Sequence, residues 1–305
     1  MGNSNIGTAL FRSLSKDEGG PRKVDVMTNP IAEPPVEQPV IDDMTPLVHI
    51  DSTPDGAVTV WINRPAKKNA FDAETIAALH EAFETLHGAE GVRIVFLRGV
   101  GGAFSAGADL EWMRAAADWS EDDNRDDALG LAHMLKALHD IPALTVALVE
   151  GPALGGGAGL VAACDHALAT ADAKFAFSEV KLGLTPATIS PYVIAALGPR
   201  TAKLLFATGR VFDADQAWSY GLVDEVFDDA AGLVAAQDAL VEEIAVCAPG
   251  AIGDAKALVN DFVGQKIDRG LIDETAKRIA RRRVSQEGQE GVRAFLERRK
   301  PSWTI

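Results

Sequence analysis

The chain has 305 residues, a length that suits one large domain or one domain with a small appendage. Its 29 basic and 44 acidic residues give a formal net charge of -15, which argues against nucleic acid or an anionic membrane as the main partner. No apolar run reaches the roughly 18 residues of a transmembrane helix, and no signal peptide is evident at the N-terminus. These features predict a soluble cytoplasmic protein without a membrane partner.

The two cysteines support the same compartment. Cys164 and Cys247 both lie in apolar, helix-like sequence, which predicts buried reduced thiols and a reducing environment. The histidines are scattered and form no H-E-x-x-H motif, and the two cysteines are not closely spaced. We therefore expect no structural or catalytic metal.

The first 45 residues are predicted to be a disordered N-terminal extension. They include Asn29–Pro39, which is rich in proline and acids and poor in aromatic residues. Such a segment buries too little apolar surface to offset its ordering entropy. Folded sequence is therefore expected to begin near Pro46.

From that point the pattern alternates between strands and helices. A β-hairpin is predicted from Leu47–Ile50 and Ala57–Ile62, and Asp72 is placed to cap a helix that ends near Leu86. Asp109 is placed to cap another helix. The further predicted elements are strands at Val92–Val100, Leu144–Val149 and Leu222–Val226, and helices at Asp122–Asp140, Tyr192–Leu197, Ala202–Thr208, Ala214–Tyr220, Gly232–Cys247, Ala251–Val263, Leu271–Arg283 and Glu287–Arg299. The order predicts an α/β core at 46–240, with parallel strands, and a helical region at 241–305.

Two turns of small residues stand out. Ala106–Asp109 and Gly155–Gly157 each end a strand and begin a helix, so a ligand can approach the backbone closely there. If neighbouring strands bring the turns together, two N–H groups can point at one oxygen and form an oxyanion hole. The alternative is that the glycines only permit tight strand–helix packing.

Glu179 is the nearest candidate acid or base downstream of the glycine turn. It follows the apolar segment Phe175–Phe177 and precedes an apolar loop. Partial burial would raise its pKa toward a value useful to a general base. The alternative is that it is an ordinary solvated glutamate.

Taken together, these segments resemble the crotonase, or enoyl-CoA hydratase/isomerase, superfamily over roughly residues 46–303. The matching motifs, in the family's order, are NRPAKKNAF (Asn63–Phe71), FSAGADL (Phe104–Leu110), GPALGGG (Gly151–Gly157), ACD (Ala163–Asp165), SEVKLGL (Ser178–Leu184) and EGVRAFLERRKPSW (Glu290–Trp303). The resemblance implies a spiral α/β core of ββα repeats and a C-terminal helical trimerisation region at 241–305. It also implies a homotrimer or a dimer of trimers.

The resemblance further implies an acyl-CoA thioester as substrate, with coenzyme A carried by the substrate and no separate cofactor. Position by position, the N–H groups of Ala108 and Gly156 would hold the thioester carbonyl, and Glu179 would be the acid/base. The turns would also place Gly107, Asp109, Gly155 and Gly159 beside the substrate.

Along the coenzyme A itself, the resemblance places Lys67 or Lys68 and the Ala106 turn. Phe295 and Arg298, on the last helix, match positions that meet the coenzyme, often from a neighbouring subunit. A basic cluster on this helix suits phosphate binding. It consists of Arg293, Arg298, Arg299 and Lys300.

Gly159 is the main departure from the family pattern. The family's hydratases typically use two glutamates to hold one water; Glu179 matches the second, and Gly159 stands where the first is expected. A single carboxylate is usual for the family's Δ3,Δ2-enoyl-CoA isomerases, so an isomerase is one alternative. A non-catalytic acyl-CoA-binding protein is another.

Three other segments favour hydration. FSAGADLEWM (Phe104–Met113), the helix around Asp126–Ala128 and SEVKLGLTPATISPYV (Ser178–Val193) resemble bacterial methylglutaconyl-CoA hydratases and the related isohexenylglutaconyl-CoA hydratases. A glutaconyl substrate carries its own carboxylate, so a glycine at position 159 removes a like charge and makes room. Arg114 and Lys181 are candidates to neutralise that carboxylate. We therefore predict an enoyl-CoA hydratase, with 3-methylglutaconyl-CoA or isohexenylglutaconyl-CoA as substrate.

Overall fold

The computed structural model describes residues 46–304, so the predicted N-terminal extension lies outside the described residues. The strands are β1 (Val48–Ser52), β2 (Ala57–Ile62), β3 (Ile94–Gly99), β4 (Leu144–Val149), β5 (Pro152–Leu154), β6 (His166–Thr170), β7 (Lys174–Ala176), β8 (Val211–Asp213) and β9 (Glu225–Phe227). The helices are α1 (Ala73–His87), α2 (Leu110–Ala116), α3 (Glu121–Asp140), α4 (Gly156–Ala163), α5 (Ser190–Thr208), α6 (Ala214–Tyr220), α7 (Ala230–Ile244), α8 (Pro249–Phe262), α9 (Arg269–Val284) and α10 (Gln286–Glu297).

Two sheets form the α/β core. The larger has the strand order β1-β2-β3-β4-β6-β9 and is parallel except for the β1–β2 hairpin, which the sequence predicted. The smaller has the order β5-β7-β8, with β5 and β7 parallel and β8 antiparallel to β7. Since β4 runs on into β5, and β6 into β7, the chain passes repeatedly from the larger sheet to the smaller one.

The helix starts follow local capping chemistry. The Asp72 carboxylate accepts a hydrogen bond from the Thr75 N–H and caps α1, and Asp109 does the same for the Glu111 N–H at the start of α2. Both caps were predicted from the sequence. Ser120 and Asp123 form a reciprocal capping box at α3. These contacts fix where the chain leaves each strand and enters the next helix.

Three predicted details differ from the structure. The last strand of the larger sheet is β9 and begins at Glu225, because the Leu222 N–H bonds to the Ala217 carbonyl and residues 221–223 form the turn that ends α6. The two helices predicted on either side of Gly198 are joined in α5, with a break at that glycine, whose φ is 71°. Cys247 is exposed, because it lies in the bend after α7 instead of inside the helix.

The larger sheet is covered on both faces by helices. One apolar cluster includes α1, α3 and α4, and a second places Leu233 and Leu240 of α7 against strands of the sheet. Among residues 46–304, no helix is long and apolar enough to span a bilayer.

A buried ion pair fastens α8 to the core. The Lys256 ammonium lies 2.7 Å from the Asp165 carboxylate, and only 10% and 20% of the two side chains are exposed. The same carboxylate accepts hydrogen bonds from the N–H and the hydroxyl of Thr145, both at 2.9 Å. Helix α8 is therefore tied to the start of β4 by an ion pair that is mostly shielded from water.

Lys256→Met is expected to lower the free energy of unfolding by about 3 kcal/mol, because it leaves a half-buried carboxylate without its cation. Urea unfolding at neutral pH measures the loss. The double variant Lys256→Met/Asp165→Asn should lose less than the sum of the single variants. Additive losses would show that the pair does not couple α8 to the core.

Candidate active site

The two predicted turns lie side by side. Ser105 and Ala153 form a parallel bridge, in which the Ser105 N–H bonds to the Pro152 carbonyl and the Leu154 N–H to the Ser105 carbonyl, each at 2.9 Å. Gly107 packs so closely that a Cβ there would lie 2.6 Å from the Leu154 oxygen. The structure thus brings together the two turns that the oxyanion hypothesis requires to be adjacent.

The Ala108 N–H points away from Phe71, which pairs with this segment in a parallel bridge. Phe71 donates its N–H to the Gly107 carbonyl and accepts from the Asp109 N–H, both at 2.7 Å. In an extended chain successive N–H groups point to opposite sides, so the N–H of the residue between them faces the other way. It makes no hydrogen bond to any residue in 46–304.

Gly156 supplies the second N–H as the first residue of α4. The N-cap, Gly155, has φ 50° and ψ -119°, a conformation that favours glycine, and it offers no side chain to cap the helix. The Gly156 N–H has no partner among the described residues, and the first turn of α4 carries no acidic residue. It therefore lies at the partly positive end of the helix.

Phe71 links the two N–H groups. Its backbone brackets Ala108, while its ring lies 3.2 Å from the place where a Cβ on Gly156 would be. The ring is 2% exposed and belongs to the core cluster. Phe71 was not singled out from the sequence, because nothing in its local pattern separates it from other core aromatic residues.

Glu179 stands beside the start of α4. It opens the 3₁₀ turn Glu179–Leu182, which begins three residues after the end of β7, and its Oε1 lies 3.2 Å from the position of a Cβ on Gly155. The other oxygen, Oε2, is buried and has no hydrogen-bond partner among residues 46–304. Burial raises the pKa of this carboxyl, and a hydrogen bond from its own backbone N–H lowers it by less. A carboxylate in this state is suited to take up a proton and return it.

Gly159 faces an apolar side chain. A Cβ at this position would lie 2.2 Å from Cγ2 and 2.8 Å from Cβ of Ile189, which is 1% exposed at the start of α5. Glycine is therefore the residue that fits at position 159 while Ile189 is present. No local sequence pattern indicates a role for Ile189, because the contact joins residues thirty positions apart and depends on how α5 packs on α4.

The predicted coenzyme-binding residues Lys67 and Lys68 lie on a loop that is held in place by hydrogen bonds of Asn69. The Asn69 side chain is fully buried and donates to the carbonyls of Val100 (2.9 Å) and Ala103 (2.6 Å). Lys68 is exposed in the left-handed region, with φ 50°, and its carbonyl accepts the Ala106 N–H at 2.9 Å. The structure thus joins the Lys68 and Ala106 backbones, both of which were predicted to lie along the coenzyme.

Asp109 is engaged inside the protein. Its side chain is 3% exposed and lies 3.2 Å from the Arg64 guanidinium and 3.1 Å from the Lys67 ammonium. Burial acts to raise its pKa, but the Glu111 N–H and Lys67 outweigh that effect and hold the pKa of Asp109 below its usual value. In this chain Asp109 therefore orients Lys67 and caps α2, and its predicted contact with substrate stays a prediction.

Phe295 and Arg298 are not part of this cluster in the single chain. The Phe295 side chain is 82% exposed on α10, and Arg298 is exposed at the C-cap of the same helix with φ 56°. Of the predicted basic cluster, Arg299 is paired with Glu290 and Glu297. The predicted role of α10 at the coenzyme thus stays a prediction that concerns an assembly of chains.

Known proteins with similar sequences include enoyl-CoA hydratases. Residues 52–305 match the family Enoyl-CoA hydratase/isomerase. The chain is 35% identical over 244 residues to a candidate enoyl-CoA hydratase of Thermus thermophilus, covering 79% of this chain and 95% of that protein. It is 32% identical over 252 residues to a crotonyl-CoA hydratase of Syntrophomonas wolfei, covering 80% and 93%.

A solved structure with a similar fold is also an enoyl-CoA hydratase. An enoyl-CoA hydratase from Shewanella pealeana superposes with a TM-score of 0.81 at 37% identity, over 86% of this chain and 97% of that one. The chain belongs to the enoyl-CoA hydratase/isomerase family and has its crotonase fold. The fold class and family predicted from the sequence are confirmed.

Proposed function

We propose that the protein adds water across the conjugated double bond of an enoyl-CoA thioester, with Glu179 as the only catalytic carboxylate. The observation that carries this proposal is the buried Oε2 of Glu179, which lies beside the N-terminus of α4 and has no hydrogen-bond partner among residues 46–304. The family membership and the hydratase names of its relatives support the reaction class.

The reaction needs an electron sink and a proton carrier. The N–H groups of Ala108 and Gly156 donate to the thioester oxygen and stabilise the negative charge that develops on it. The Glu179 carboxylate takes a proton from water as the water oxygen bonds to C3, and the π electrons move into an enolate. The Glu179 carboxylic acid then returns a proton to C2, so that one C–O and one C–H bond form and the carboxylate is regenerated.

The acyl group that we propose is a glutaconyl type, 3-methylglutaconyl or isohexenylglutaconyl. Position 159 carries no carboxylate that would repel the one on such a substrate. Lys181 lies on the same turn as Glu179, and Arg114 lies on α2; both are exposed and form no ion pair within residues 46–304. Either cation can neutralise the substrate carboxylate.

We further propose that the chain works in the cytoplasm as a homotrimer or a dimer of trimers. Residues 241–305 form the predicted oligomerisation region, and the helices there expose many large apolar side chains, which marks a protein interface. They include Val259, Ile272, Ile279, Val284, Val292, Phe295 and Leu296. In such an assembly Phe295 and Arg298 of one chain can meet the coenzyme bound at Lys67 and Lys68 of another.

A double-bond isomerase is the second candidate function. One carboxylate is enough to shuttle a proton between two carbons, and the apolar contact of Ile189 with Gly159 is the observation that favours it. The third candidate is a non-catalytic acyl-CoA-binding protein, in which the site would bind the coenzyme but would not catalyse a reaction.

Absorbance of the conjugated thioester separates these candidates. Incubation with 3-methylglutaconyl-CoA is expected to decrease the absorbance, whereas incubation with a 3-enoyl-CoA should leave it nearly unchanged. A rise with the 3-enoyl-CoA and no fall with 3-methylglutaconyl-CoA would identify an isomerase. Binding of both thioesters without any change would identify a binding protein.

A further inference from the structure

We propose that Ile189 is a specificity-determining residue. Its side chain closes the space beside Gly159, keeps a second acid out of the site, and so favours acyl-CoA ligands that carry a carboxylate of their own. This inference rests on the proposed acyl-CoA site and goes beyond it, because it assigns the choice of acyl group to a contact between α4 and α5.

The contact lies one helical turn from the candidate catalytic carboxylate. Gly155 is the N-cap of α4, and Gly159 lies at the end of the first turn, where its N–H bonds to the Gly155 carbonyl at 3.0 Å. A Cβ on Gly155 would lie 3.2 Å from Glu179 Oε1, and a Cβ on Gly159 would lie 2.2 Å from Ile189 Cγ2. The first turn of α4 therefore has Glu179 beside its N-cap and a hydrocarbon group against Gly159.

Ile189 is held firmly in that place. It is 1% exposed, it belongs to the main core cluster, and its carbonyl accepts the Val193 N–H at the first turn of α5. A β-branched side chain is stiff about χ1, and its Cβ as well as its Cγ2 would overlap a side chain at position 159. A carboxylate can occupy position 159 only after the Ile189 side chain has been shortened.

The contact of Ile189 with Gly159 also determines how many negative charges lie near the acyl group. An acid at position 159 would add a second negative charge close to Glu179 and to the acyl group. At a partly solvated site one such like charge disfavours an anionic acyl group on the order of tenfold to a hundredfold. Because Ile189 leaves room only for glycine at position 159, that penalty is absent, and an acyl chain with a terminal carboxylate competes well with a neutral one.

The test compares the wild type with Gly159→Glu, Ile189→Ala, Gly159→Glu/Ile189→Ala and Gly159→Glu/Ile189→Val. Thermal unfolding reports whether position 159 is blocked. Titration calorimetry with glutaryl-CoA and butyryl-CoA, which are saturated and cannot react, gives the ratio of their dissociation constants. Neither readout requires turnover, so a wild type without hydratase activity would refute the proposed reaction and leave this test intact.

Gly159→Glu is expected to lower the melting temperature strongly or to prevent folding, and Ile189→Ala in the same chain to restore the fold. Ile189→Val keeps both γ-carbon branches and should not restore it. In the restored double variant the preference for glutaryl-CoA over butyryl-CoA should fall about tenfold or more relative to Ile189→Ala.

Two results would overturn the proposal. One is a single Gly159→Glu variant as stable as the wild type, and the other is an unchanged preference in the folded double variant. If the double variant does not fold, Gly159→Ala in the wild-type and Ile189→Ala backgrounds decides the matter. A smaller loss of stability in the second background supports the proposal, and equal losses contradict it.

Discussion

Replacing Glu179 by Gln should lower kcat for hydration by about 10²–10⁴-fold, because the amide can neither take the proton of water nor return one to C2. Folding and acyl-CoA binding should be nearly unaffected, since the amide has the same shape and places no charge in the half-buried position that raises the pKa of Glu179. Steady-state kinetics and calorimetric binding of butyryl-CoA measure the two effects.

Glu90→Gln is the matched control, because Glu90 is exposed in the loop after α1 and the chemical change is identical. That variant should retain wild-type kinetics. Wild-type turnover by Glu179→Gln would refute the assignment of the acid/base.

The pH dependence of activity should report the same carboxyl group. The base must be ionised in the free enzyme, and burial raises the pKa of Glu179 above the ordinary glutamate value of 4.5. The acid limb of kcat/KM is therefore expected at a higher pH than that of a solvated glutamate, and residual activity in Glu179→Gln should lack it.

The same raised pKa makes stability depend on pH. Because the folded state favours the protonated form, the stability that Glu179 contributes is lost as the pH rises from 4.5 through the raised pKa. The stability of Glu179→Gln relative to wild type should accordingly increase over that range.

The second large effect concerns the oxyanion donor on α4. Gly156→Pro should lower kcat about 10²–10³-fold, which corresponds to a barrier raised by about 3–4 kcal/mol, because proline removes one of the two N–H groups that we assign to the thioester oxygen. Proline is well tolerated at the first position of a helix, where no intrahelical bond uses the N–H. Gly155, with φ 50° and ψ -119°, lies in the mirror image of the extended region that a residue before proline prefers, and glycine adopts that region readily.

Gly156→Ala is the control for this experiment, since it adds the same Cβ against the Phe71 ring and keeps the N–H. The ratio of kcat between Gly156→Ala and Gly156→Pro isolates the hydrogen bond. Circular dichroism and the melting temperature of the two variants should agree closely. Equal kcat values in two folded variants would show that this N–H does not serve the reaction.

The parts of the site that were predictable from the sequence depend on local chemistry. Asp72 and Asp109 cap helices through hydrogen bonds to residues two or three positions away, and the glycine turn at 155 needs a positive φ. A short stretch of sequence is enough to indicate such features. The ordered series of motifs then indicated the family, and with it the pairing of the two turns.

The parts that were not predictable depend on contacts between distant segments. Ile189 touches Gly159 only because α5 packs against α4, and the Phe71 ring reaches Gly156 only because its backbone pairs beside Ala108. Cys247 lies in apolar sequence, but it is exposed because α7 ends three residues earlier. In each case the three-dimensional arrangement, and not the local pattern, decides the environment of the residue.

The central prediction is that the wild-type protein adds water to the double bond of 3-methylglutaconyl-CoA. The most direct measurement is to incubate the protein with 3-methylglutaconyl-CoA in water enriched in ¹⁸O and to determine the mass of the product. We expect a product heavier than the substrate by one molecule of water that carries the ¹⁸O label, formed by the wild type and not by Glu179→Gln. A product of unchanged mass with its double bond moved, or no product despite bound thioester, would contradict the account.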